Sequence, residues 1–102
     1  MPARVYLLDV NRFSNVQVEL IWHSFGQYIA TGRVIALTRT SLRNGEAIHL
    51  LDPEHEPVYS FFKEHRRIHV LNHKGRVIAG SARLEDAVDQ VRKQSKLLRK
   101  AQ

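Results

Sequence analysis

The chain has no cysteine, and only one methionine and one tryptophan, among its 102 residues. Disulfides, thiolate zinc sites, iron–sulfur clusters and cysteine nucleophiles are excluded together. Proline occurs only at Pro2, Pro53 and Pro57, so the single marked break lies mid-chain. No apolar run approaches the ~18–20 residues of a membrane span. Arg4 and Asp9 interrupt the N-terminus, which lacks the long apolar region of a signal peptide. A cytoplasmic location is the expectation from these absences. Enzyme signatures are missing as well: no P-loop, G-x-S-x-G, H-E-x-x-H or G-x-G-x-x-G string occurs. No internal repeat, low-complexity tract or Ser/Gly linker stands out.

What is present is charge of one sign. Sixteen Lys and Arg face ten Asp and Glu, giving a net charge of +6, with six histidines besides. Such an excess biases partners toward polyanions, nucleic acid above all. Apolar residues make up 43% of the chain, enough to argue for a packed core over disorder. The length suits a single domain over 1–102, with a basic helical end at 91–102.

Arg4 to Val10 reads as a buried strand, short, apolar and β-branched at both ends. Ser14 to Thr31 carries Val16, Leu20, Ile21, Phe25, Tyr28 and Ile29 at helical spacing. Ser14 with Gln17 forms a capping box and Gly32 follows as the C′ residue, although Val16, Val18, Leu20 and Trp22 also alternate as in a strand. Arg33–Leu42 and Glu46–Asp52 suggest a hairpin turning at Asn44-Gly45, with Arg43 opposite Glu46. Pro53 to Pro57 reads as an acidic loop and Val58 to Glu64 as two helical turns. Arg67–Asn72 and Arg76–Ser81 make a second hairpin around Lys74-Gly75. Arg83 to Gln102 has an apolar stripe at Leu84, Val88, Val91 and Leu98, with acids in its first turns and cations in its last. The order predicts an α+β fold: a ferredoxin-like βαββαβ unit with an extra strand and a C-terminal helix. Should Ser14–Thr31 be a strand, the alternative is an antiparallel β meander capped by that helix.

The second hairpin is the most informative surface. A two-residue loop would put Arg67, His69, His73 and Arg76 on one face, around Leu71 and Ile78, with His69 opposite Gly80. Phosphates would meet the cations, and a base would rest on His69 above the space left by Gly80. Arg92, Lys93, Lys96, Arg99 and Lys100 form a basic helix end suited to phosphate contact. The competing reading puts Leu71 and Ile78 beneath the last helix, with the cations marking only the sheet rim.

His65, His69 and His73 recur every four residues, but on a strand His69 and His73 lie ~13 Å apart, too far to share a zinc ion. Neither metal nor cofactor is expected. The leading expectation is a small basic nucleic-acid-binding or regulatory protein without catalytic activity, with a homodimer through Leu97 and Leu98 as a further expectation. A protein-interaction adaptor would instead expose Trp22, Phe25, Tyr28, Phe61 and Phe62. A small nuclease or mRNA-cleaving toxin would bring Asp9 to Asp52, or His49 to His69 and Tyr59.

Overall fold

The computed structural model describes residues 12–94. Helix α1 spans Asn15–Ser24 and α2 spans Gly26–Ala30. Five strands follow: β1 (Ala36–Leu42), β2 (Gly45–Leu51), β3 (Pro57–Glu64), β4 (Arg67–Leu71) and β5 (Val77–Ser81); helix α3 then covers Leu84–Gln94. The strand expected at Arg4–Val10 and the helix beyond Gln94 lie outside the described residues.

The class is α+β, and the ferredoxin-like order is replaced by an open antiparallel meander, β1-β2-β3-β4-β5. The cause is local. Val58–Glu64 forms most of strand β3 in place of helical turns, so no helix crosses between strands. Its Val, Tyr and Phe residues favour a pleated surface, and pairing on both sides fixes it as the central strand.

Helix α1 starts as its end signals require. Ser14 accepts from the Gln17 N–H, and the Gln17 side chain accepts from the Ser14 N–H. Gly32 follows α2 with φ 75°. Ile21, Phe25 and Tyr28 face the core, while Val16 is 77% exposed. All three helices pack on one face of the sheet. Phe25 lies 5.8 Å from Phe61 and 5.1 Å from Tyr59, ring to ring. Leu84, Ala87, Val88 and Val91 of α3 join the same cluster, with Ile48, Phe61, Val70 and Ala79 from the sheet. Burying each of the two phenylalanines contributes about 2–3 kcal/mol.

Helix α3 also seals the β5 edge. The Gly80 N–H donates to the Gln90 side-chain oxygen, and the Gln90 amide donates back to the Gly80 carbonyl. The Gln94 amide donates to the Ile78 carbonyl. Backbone groups left bare at a sheet edge invite further strands; these two glutamines satisfy them.

The chain carries a repeat that its letters barely show. Ile48-His49-Leu50-Leu51-Asp52 and Ile68-His69-Val70-Leu71-Asn72 stand 20 residues apart. The loops after them are built alike. Asp52 Oδ1 accepts from the N–H groups of Glu54 and Glu56, and Asn72 Oδ1 from those of Lys74 and Arg76. The third loop residue is left-handed in both, His55 at φ 66° and Gly75 at φ 78°. Each strand pairing also shifts register at the matching place, Leu50/Leu51 and Val70/Leu71. The β2–β3 and β4–β5 hairpins are thus two copies of one unit.

Two turns differ from expectation. Leu42 pairs with Gly45 and Ser41 with Glu46, so the first hairpin turns at Arg43-Asn44, one residue early. Neither turn residue has positive φ. The paired left-handed residues are instead His65 (φ 52°) and Arg66 (φ 63°), between Glu64 and its partner Arg67. Such turns favour Asn-Gly, because side chains larger than glycine resist that region. His65→Asn combined with Arg66→Gly is therefore expected to raise stability by about 1 kcal/mol, read as a higher urea midpoint. An unchanged or lower midpoint would mean that the turn is not strained.

Candidate nucleic-acid interface

In an antiparallel sheet, residues paired across strands share a face. The row Arg39, Ile48, Phe61, Val70, Ala79 lies beneath the helices. The alternate rows therefore form the outer face, which no described helix covers. One outer row runs Thr40, Ala47, Phe62, His69, Gly80; its neighbour runs Thr38, His49, Ser60, Leu71. Phe62 stands in the middle, half-buried, with His69 beside it on β4. On its other side the His49 ring meets it edge-on, 5.9 Å between centroids at 84°.

His49 Nδ1 and Ser60 Oγ are 2.8 Å apart. Burial pushes the His49 imidazole below its usual range, so at neutral pH the ring is an uncharged aromatic and not a cation. At the repeat-equivalent place, His69 faces Gly80, which has no side chain to bond it. The outer face thus carries three rings on β2, β3 and β4, Phe62 and His69 in one row and His49 in the next, with Arg67 on the row to the other side.

The site residues expected from the sequence divide into groups. Arg67 and His69 lie on the outer face, and the His69–Gly80 pairing is as expected. His73 and Arg76 do not join them. Asn72 and Arg76 close a three-residue loop, His73 to Gly75, where a two-residue one was expected. A five-residue strand spans about 13 Å, so this loop and Arg67 mark opposite ends of β4. The same loop pairs Leu71 with Val77. Ile78 consequently turns to the core side, leaving the outer face expected for it, and Val77 is 62% exposed. Arg92 and Lys93 ride on α3, whose Val91 is buried on the other side of the sheet. Lys96, Arg99 and Lys100 lie outside the described residues, as do Leu97, Leu98 and Asp9.

Other expected groupings also resolve. Phe25, Tyr28 and Phe61 are core, so an adaptor patch retains only Trp22 and Phe62 from the five aromatics proposed for it. His49 and His69 share the outer face, whereas Tyr59 lies on the core face beside Phe25. Phe62, expected only in the adaptor patch, is the residue of this face that sequence reasoning missed. The β-forming string Val-Tyr-Ser-Phe-Phe was the signal available for it.

Comparison with protein-family models, with curated proteins and with solved structures finds no match.

Proposed function

We propose that the protein binds single-stranded nucleic acid across the outer face of its sheet. The carrying observation is Phe62 seated between His49 and His69 on a face that no described helix covers. Bases stack on such rings without needing a particular sequence, at about 1–3 kcal/mol per base. The net charge of +6 supplies the polyanion attraction. In this reading Arg67 contacts phosphate and His69 a base, while Arg76, Arg92 and Lys93 add long-range attraction from other sides of the molecule. A single strand suits the face better than a duplex, whose bases are already stacked on one another.

Fluorescence anisotropy with labelled ten-nucleotide RNA and DNA, single- and double-stranded, tests the reading. Micromolar binding of single strands is expected at physiological salt, with a log K against log salt slope of roughly −3. Phe62→Ala should weaken it about tenfold, and Arg67→Ala should flatten the slope by about one. Far-UV circular dichroism would confirm that both variants fold. Absence of any anisotropy change at about 50 μM protein in low salt would refute the proposal, since even non-specific binding is stronger than that.

A further inference from the structure

On the opposite side of the sheet a cleft of about 640 Å³ opens between the loops of the two repeated hairpins and the α2 segment. This is within the range of small-molecule sites. Its two sides come from matching positions of the repeat: Asp52 and Asn72, Pro53 and His73, Val58 and Ile78. Val58 and Ile78 both sit at the register shifts, which turn them against the core cluster and make them the apolar floor. Tyr28 and Tyr59 form a wall, their rings 5.7 Å apart and edge-to-face.

The rim is weighted toward hydrogen-bond donors. Arg33, exposed at the end of the α2 segment, has no carboxylate within ion-pair distance among the described residues. His73 lines the facing loop. Asn72 spends its side-chain oxygen on two backbone N–H groups, leaving its amide hydrogens to donate. Asp52 is the one acid present, and its Oδ1 is likewise taken by two backbone N–H groups. An apolar floor and an aromatic wall under a donor-rich rim match one ligand chemistry: a flat ring carrying an anionic group.

We propose that this cleft binds a small planar aromatic anion, with its ring over Val58, Ile78 and the tyrosines and its acid group at Arg33. The site lies on the helix-covered side and does not depend on Phe62 or on nucleic-acid binding. A charged group fixed by a guanidinium, together with a desolvated ring, binds better than either half alone.

Thermal unfolding and titration calorimetry are run on the full chain with four probes. Adenosine 5′-monophosphate and indole-3-acetate combine ring and charge; adenosine has the ring alone and inorganic phosphate the charge alone. A saturable rise in unfolding temperature with at least one of the first two, and at least tenfold weaker binding of both adenosine and inorganic phosphate, is the expected result. Arg33→Ala should weaken that binding about tenfold and leave the ligand-free midpoint unchanged, because the side chain is exposed. Phe62→Ala should leave it intact. If neither ring-bearing anion shifts the midpoint at about 5 mM, or if Arg33→Ala binds as the unaltered protein does, the proposal is overturned. Loss of the shift on adding a ten-nucleotide single strand, with Phe62→Ala equally impaired, would overturn it too, by assigning the effect to the outer face.

Discussion

Gly45→Ala is expected to lower stability by about 3 kcal/mol or more, a larger loss than overpacking usually causes. A Cβ on Gly45 would stand 1.9 Å from the Lys63 carbonyl oxygen and 2.9 Å from its carbon. Backbone cannot swing aside as a flexible side chain can, so β2 and β3 would have to part where they pair, Gly45 with Glu64. Gly26→Ala is the matched control, because a Cβ there meets nothing within 4 Å. It should leave the urea midpoint level or slightly raised, as alanine favours helix. A midpoint for Gly45→Ala equal to that of the control would show that the two strands do not approach as described.

Glu46→Ala is expected to cost about 2–3 kcal/mol. The carboxylate is 1% exposed inside the core layer. It accepts from the Phe13 N–H at 2.8 Å and from Arg39 Nε and Nη2 at 2.7 and 2.9 Å, and Arg12 lies 3.6 Å away. Arg39 also donates to the Phe13 carbonyl, so the pair pins the entrance to α1 against the sheet. Breaking a fully buried pair costs about 3–5 kcal/mol; the lower figure follows because Arg39 is 36% exposed and keeps some water. Burial works to raise the Glu46 carboxyl, but hydrogen bonds from Arg39 and Phe13 and the charges of Arg39 and Arg12 outweigh it and hold the group low. The sign follows. This stabilisation is present above the unfolded value, about pH 4.5, and is lost as pH falls through the lower folded value. His49, also held low, contributes a separate loss beginning below about pH 6.5, where the unfolded chain takes up the proton first. Urea midpoints measured between about pH 3 and pH 7 should therefore fall in two stages, and Glu46→Gln should abolish only the more acidic one. A Glu46→Gln profile identical to that of the unaltered protein would mean that the carboxylate is not ionised against Arg39.

The start of α1 and the stop after α2 were legible because capping is local: Ser14, Gln17 and Gly32 act within a few residues of themselves, whereas the break at Phe25 that divides the expected single helix into α1 and α2 was not. The β4 alternation was legible and the His69–Gly80 pairing followed, but in β5 the register shift beside Leu71 reversed Val77 and Ile78. Strand β3 was not. Tyr59 and Phe61 face the core while Phe62 faces outward, so large rings occupy both sides and the two-residue period disappears. The first hairpin was misplaced by one residue because Gly45 looks like a turn glycine. Its hydrogen instead answers a close approach to Lys63, a residue 18 positions away that no local pattern could supply. The actual left-handed turn uses His65 and Arg66, neither of which is a turn former by composition. The repeat is faint in the sequence because only Ile, His, Leu and an Asx residue persist, and the N–H donors to that Asx oxygen are backbone groups that any residue supplies. The candidate interface followed the same division: Arg67, His69 and Gly80 came from the sequence, and Phe62 needed the fold.

The two glutamines of α3 set an order of events during synthesis. Each strand of the meander pairs with the next along the chain, so neighbouring hairpins need little loop closure and can form as they emerge. The exposed margin advances with them, from β2 to β3 to β4 to β5. At β5 the advance stops, because Gln90 and Gln94 occupy the backbone groups that a sixth strand would take. Until those residues leave the ribosome, the Ile78 and Gly80 carbonyls remain open to strands of other nascent chains. At about 5–20 residues per second, the 14 positions from Gly80 to Gln94 hold that window open for roughly one to three seconds. A chain truncated after Ser81 would carry the same margin permanently, and in such fragments aggregation would begin at β5.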